Sequence, residues 1–307
     1  MDSAITQIVQ NDGYQTRLYY YKTTKDTVSG AILILHGMAE HHGRYLDFIQ
    51  SLTREGFDVY AYDHRGHGTD KKLSELGFIA KKHGANRLVS DAHTVCQYIR
   101  ANSRSDKLAV FGHSMGSLTL RCLLQTYDDI DCAIVSSTTM PPKLVSLSGR
   151  CIASLCCLFG GAKKQSPFLQ KLMFGGKEYT SLCTRTTYDW LTRNNTLVGQ
   201  YINDPYCGFT GTASFYRDLV TLCLYSSRKK AVAKTRKNLP LLLLTGSKDP
   251  VGGYTSQIIR LHKLYSALGF EQAELIIYQD ARHELLNETN SDEVYADIFA
   301  YLHKHLQ

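Results

Sequence analysis

Five residues, Gly112-His113-Ser114-Met115-Gly116, stand between an apolar β-rich run, Leu108 to Phe111, and apolar residues at helical spacing from Ser117 to Gln125. A chain that passes from strand to helix in so few residues must turn sharply, and side-chain-free neighbours two places either side of the serine allow it. The serine is then pushed out where a second molecule can reach it. Such a turn needs a strand below and a helix above, so the chain around it has to be an α/β structure.

The flanking sequence has that rhythm. Ile5 to Gln10, the turn Asn11-Asp12-Gly13 and Arg17 to Lys22 read as a β-hairpin, because Asp-Gly supplies the positive φ angles of a tight turn. Apolar runs follow at Ala31 to Leu35, Asp58 to Tyr62, Leu108 to Phe111, Ala133 to Ser137, Leu241 to Thr245 and Glu274 to Tyr278. Helical spacing appears from Leu88 to Arg100, Ser117 to Gln125 and Ile258 to Leu268, the last stopping at Gly269. Nearly uninterrupted apolar strands alternating with helices predict a mostly parallel central sheet covered by helices on both faces. Between Pro141 and Asn238 the rhythm breaks, so residues 141-238 are expected to be an inserted helical cap on a core formed by residues 1-140 and 239-307. In the cap, Leu144 to Gly160 is largely apolar and ringed by Lys143, Arg150, Lys163 and Lys164. With an internal arginine it reads as a lid helix or an interfacial one rather than as a membrane span.

A serine hydroxyl is a weak nucleophile until an imidazole takes its proton, and the imidazole needs a carboxylate to orient it. In chain order serine, acid, histidine, Asp249 follows the strand ending at Thr245, and His283 follows the strand ending at Tyr278. Asp280 stands too close to His283 to match an acid on a separate loop. Ser114 is thus the expected nucleophile, His283 the base and Asp249 the orienting acid. The tetrahedral intermediate also needs two backbone N–H donors, expected from Met115, after the serine, and Met38, in the loop after the third strand. His36, His41, His42, His64 and His67 crowd the same edge. Without carboxylates at ligand-like spacing they read as structural rather than metal-binding, and the mechanism requires no cofactor.

The formal charge of +7 is spread in short lysine and arginine pairs with no nucleic-acid motif, so nucleic acid is not an expected partner. Nine cysteines at irregular spacing suit a reducing compartment, and Met1 to Gln7 lacks the basic start and apolar run of a secretory signal. Cytoplasmic residence, with peripheral membrane contact through the cap, is the expectation. The oligomeric state stays open.

Four motifs together resemble a known group: His36-Gly37-Met38-Ala39-Glu40-His41-His42-Gly43-Arg44-Tyr45, Asp63-His64-Arg65-Gly66-His67-Gly68, the Gly-His-Ser-Met-Gly turn, and the Asp249 and His283 loops. The chain is similar to the monoacylglycerol lipase and lysophospholipase group of α/β-hydrolases, of the serine aminopeptidase S33 type. The likeness runs to Asn203-Asp204-Pro205-Tyr206-Cys207-Gly208-Phe209 late in the cap. It implies an α/β-hydrolase fold, hydrolysis of a single-chain lipid ester through an acyl-enzyme, and a small-molecule lipid or ester substrate. It also implies Glu40 and Arg44 near the polar head, and His113 is expected beside the substrate. The sequence differs from the mammalian pattern at Met38, Ala39 and His42, and its cap matches least. The rival readings are a short-chain esterase, a proline-iminopeptidase-like peptidase, and a non-catalytic binding protein, which would typically have lost triad members.

Overall fold

The structure is a computed structural model that describes residues 3–306. Eight strands form one sheet: β1 (Ala4–Val9), β2 (Gln15–Tyr21), β3 (Gly30–Leu35), β4 (Phe57–Tyr62), β5 (Leu108–His113), β6 (Cys132–Ser136), β7 (Leu241–Gly246) and β8 (Ala273–Tyr278). Their order is β1-β2-β4-β3-β5-β6-β7-β8. The β1–β2 hairpin and its pairing with β4 are antiparallel, and every other neighbour is parallel. From β3 to β7 every strand residue is buried, as two covered faces require.

Helices in chain order are α1 (Leu46–Glu55), α2 (Gly84–Asn102), α3 (Met115–Leu123), α4 (Lys143–Cys156), α5 (Pro167–Phe174), α6 (Lys177–Thr180), α7 (Asn195–Asn203), α8 (Ala213–Ser226), α9 (Lys229–Val232), α10 (Ser256–Ala267) and α11 (Ser291–Leu306). Strand residues alternate between the two layers. Leu33, Val110 and Leu243 meet Val95 and Ile99 of α2, Leu123 of α3 and Leu261 of α10. Ile34, Phe111 and Leu242 meet Phe48 and Leu52 of α1 and Val294, Ile298 and Leu302 of α11. The sequence reading placed the first set of helices and left α1 and α11 unassigned, although Val294, Ile298 and Leu302 at four-residue spacing carry the signal. Gly269 follows α10 with φ +81°, the left-handed conformation that a residue without a β-carbon adopts at least cost.

Between β6 and β7 the described residues form helices α4 to α9 and one isolated antiparallel bridge, Gln165 to Thr212. The α8 residues Phe215, Leu219 and Leu222 pack with Met115 and Leu118 of α3, so this helical segment sits directly over the sharp turn. The run Lys143–Gly161, α4 with a π-helical continuation, is long and apolar enough by length and composition to cross a membrane. It buries Ser146 and Ala153 on its inner side, while Leu144, Leu158 and Phe159 point outward, Phe159 being 83% exposed. Because β3 and β5 to β8 run parallel, the loops after all five emerge at one edge of the sheet, where α/β sheets place ligands.

Candidate active site

At the end of β5 the chain turns through Ser114 at φ +51°, a conformation L-residues rarely hold. A β-carbon at Gly112 would lie 2.7 Å from the Gly116 carbonyl oxygen, and one at Gly116 would collide with the Leu35 and His36 carbonyls. Both glycines are therefore dictated by backbone crowding. The Ser114 amide donates to the Ser136 carbonyl at 3.0 Å, and its own carbonyl accepts from Ser117 and Leu118, tying the turn to β6 and α3.

The loops after β7 and β8 bring Asp249 and His283 to the same place. Ser114 Oγ lies 3.0 Å from His283 Nε2. His283 Nδ1 lies 3.0 and 3.1 Å from the two Asp249 carboxylate oxygens. Asp249 can only accept, so Nδ1 carries the proton and Nε2 is left free to take one from the serine. The Val251 amide donates to Asp249 Oδ1 at 2.9 Å and fixes the carboxylate. Burial alone would push the imidazole of His283 down. The charge and hydrogen bond of Asp249, aided by Glu284 and Glu40, outweigh burial and hold it above its ordinary value.

After β3 the loop from His36 to Arg44 lies against this triad. The Gly37 amide donates to Glu40 Oε1 at 2.5 Å and the Ala39 amide to His67 Nε2 at 3.2 Å. The Met38 amide between them, and that of Met115 at the first turn of α3, have no hydrogen-bond acceptor among the described residues, and both residues line the cavity that contains Ser114. They are available to an oxyanion formed there. Ala39 sits at φ +53°, held from the other side by its carbonyl, which accepts from the Gly208 amide at 2.9 Å and the Tyr201 hydroxyl at 3.0 Å.

Arg44 Nη1 donates to Glu40 Oε2 at 2.6 Å and to Glu284 Oε1 at 2.6 Å, while Nη2 reaches Glu284 Oε2 at 2.7 Å. Its guanidinium also faces the Tyr201 ring at 4.8 Å. Arg44 thereby ties the loop after β3 to the His283 loop and lies outside the cavity lining, whereas Glu40, His113 and Glu284 belong to the lining. The His113 ring stands 4.8 Å from that of His283; burial, then its neighbour's charge, pushes it down to about 4. His64 and His67 are pushed down by burial as well, to about 3 and about 4. Away from them, His41 meets Asp204 at 2.8 Å with Cys207 alongside, and burial keeps that thiol protonated.

The cavity above Ser114 has a volume of about 930 Å³. Its lining is mostly apolar, with Leu118, Ile152, Met173, Phe174, Trp190 and Leu219 among the contributors, and it also includes polar side chains such as Ser146, Gln170, Glu178 and Gln257. Trp190, the sole tryptophan, lies 5.3 Å from the His283 ring and stacks on Phe174 at 6.1 Å. Sequence reasoning missed Trp190 and Glu284. For Trp190 the signal was its being unique; for Glu284, its place beside the expected base.

The family described as Hydrolase_4, serine aminopeptidase S33, matches residues 26–290. A monoacylglycerol lipase of Mycolicibacterium smegmatis is 27% identical over 296 residues, covering 94% of this chain and 94% of that protein. A monoglyceride lipase of Rattus norvegicus is 26% identical over 258 residues, covering 80% of this chain and 73% of that protein. The solved structure of a lipase in its open form superposes over 100% of both chains with a TM-score of 0.87 at 23% identity, a likeness of fold.

Proposed function

Since the chain belongs to the serine aminopeptidase S33 (Hydrolase_4) family, we propose that it hydrolyses the carboxylic ester of a single-chain lipid, a monoacylglycerol or lysophospholipid, with Ser114, His283 and Asp249 as its triad. Ser114 Oγ attacks the ester carbonyl as His283 Nε2 takes its proton, and the Met38 and Met115 amides receive the oxyanion. Each such donor is worth about 3 to 4 kcal/mol in the transition state. His283 returns the proton to the leaving alcohol, then deprotonates the water that releases the acid from Ser114.

The observation that carries the substrate class is the mostly apolar cavity of about 930 Å³ beginning at the serine, large enough for a long acyl chain. An aminopeptidase would need a free carboxylate on the acyl side to hold the substrate's amino group. Among the cap acids, Asp189 accepts from the Thr184, Arg185 and Thr186 amides and Asp204 is taken by His41, while Glu178, which lines the cavity, is exposed to solvent rather than set in a buried recess. Domain limits of 141-238 for the cap fit the helices that cover this cavity.

With p-nitrophenyl esters, kcat/KM is expected to rise at least about a hundredfold between a four-carbon and a twelve-carbon acyl group, since each buried methylene is worth up to about 0.8 kcal/mol. Glycerides of the long chains should be cleaved and proline naphthylamide should not. A preference for the shortest esters, or for the amide, overturns this reading.

Lys143–Gly161 and α5 carry exposed apolar side chains, Leu144, Leu158, Phe159, Phe168 and Leu172 among them, and the same stretch of chain exposes Lys143, Arg150, Lys163, Lys164 and Lys171. That composition suits an anionic lipid surface from which a single-chain substrate would be drawn. Cosedimentation with vesicles containing about 30% phosphatidylserine should fall at least about tenfold in a Leu158→Glu/Phe159→Glu variant, with hydrolysis of a soluble ester preserved. Unchanged sedimentation would remove the membrane role from the cap.

A further inference from the structure

We propose that the site filters substrates by the charge of the leaving group, accepting neutral or cationic heads and rejecting anionic ones, through a net negative charge built from Glu40, Glu284 and Arg44. The inference rests on the ester-hydrolase reading above.

The place of the head group follows from proton transfer. The departing alcohol must take its proton from His283 Nε2, so the head lies on the side of His283. Glu284 is the next residue in the chain. Glu40 is close as well: a β-carbon placed on Gly37 would stand 2.6 Å from Glu40 Oε1 and 3.3 Å from the β-carbon of Ser114. Both glutamates line the cavity and are buried.

Their charge is only half compensated. One guanidinium, Arg44, serves two carboxylates through bonds of 2.6, 2.6 and 2.7 Å. Burial would push the Glu284 carboxyl up, but Arg44 outweighs it and holds Glu284 well below the usual carboxylate range, so it stays ionised. His113, the other basic group at this end, is held neutral by burial. Lys171 is the sole lysine or arginine lining the cavity among the described residues, and it stands exposed on the cap together with Glu178. Solvent screens that outer pair, whereas the inner trio keeps about one uncompensated negative charge where screening is weak. A chain of formal net charge +7 thus encloses a reaction site of the opposite sign. An anionic head that must desolvate beside Glu40 and Glu284 is disfavoured by about ten- to a hundredfold, and a quaternary ammonium is not.

Three esters sharing an oleoyl chain but differing in head charge test the filter in mixed detergent micelles: oleoylcholine, mono-oleoylglycerol and oleoyl lysophosphatidate, followed by oleate release. The choline and glycerol esters should agree within about tenfold in kcat/KM. The phosphate should be at least about thirtyfold slower, and the ratio should survive 0.5 M (about physiological times three) sodium chloride because the charges are buried. Glu284→Gln should narrow the glycerol-to-phosphate ratio about tenfold; if it fails to fold, Glu40→Gln makes the same comparison, and the ratio in the unaltered protein stands alone. Lysophosphatidate cleaved as fast as the glyceride, or a ratio unmoved in a glutamine variant that still cleaves the glyceride, overturns the filter. Failure of the underlying reading looks different: none of the three lipids is cleaved although a fluorophosphonate labels Ser114, and the filter falls with it.

Discussion

Ser114→Ala should lose at least about 10⁴-fold in kcat on any ester the protein cleaves, with a denaturant midpoint close to that of the parent. The size follows from the division of labour: without the hydroxyl no acyl-enzyme forms, and only the amide donors and binding remain to assist direct attack by water. Stability should be untouched because Ser114 Oγ bonds only to His283 and an alanine adopts the φ of +51° no less easily than a serine. Steady-state hydrolysis of a p-nitrophenyl ester, fluorophosphonate labelling and urea unfolding measure the three parts. Activity within about tenfold of the parent would remove Ser114 from the role of nucleophile.

Asp249→Asn should cost about 10³- to 10⁴-fold on the pH plateau, since an amide can hold the imidazole in the wrong tautomer and does not stabilise the imidazolium. It should also move the acid limb. Activity needs neutral His283, so the rate rises as pH passes through the imidazole's titration, which Asp249 holds above the ordinary value of 6.5. Removing the carboxylate leaves burial as the dominant influence, the imidazolium becomes harder to form, and the limb shifts to lower pH. The pH profile of kcat/KM, followed on the residual activity, reads this directly. A limb that stays in place would mean that another group orients the base.

Features set by neighbours in the chain were legible before any coordinates. The strand-turn-helix around Ser114 is legible because the crowding at Gly112 comes from the Gly116 carbonyl within the same short segment, whereas the crowding at Gly116 comes from the Leu35 and His36 carbonyls, which the local sequence does not reveal. The loops of Asp249 and His283 could be placed because parallel strands bring their carboxyl ends to one edge. Pairings across the chain could not be read. Arg44 and Glu284 are 240 residues apart, and nothing in either segment says that one guanidinium binds two acids. The resemblance suggested Arg44 as a head-group contact; with both terminal nitrogens engaged by carboxylates, its observed surroundings are those of a tie between loops. The hairpin was plain from Asp12-Gly13, yet its place beside β4 rather than β3 depends on which edge is left open once the parallel strands are assembled.

The bonds that Gly208 and Tyr201 make to the Ala39 carbonyl bear on protein engineering. Exchanging the insert between relatives is a natural way to alter acyl preference, and it treats that insert as a detachable module. Here the module supplies two of the three hydrogen bonds that keep Ala39 at its unusual backbone angle, one residue from the Met38 amide. A transplanted insert without equivalents of Tyr201 and Gly208 would change turnover together with selectivity, so chimaeras need those two residues carried across the seam.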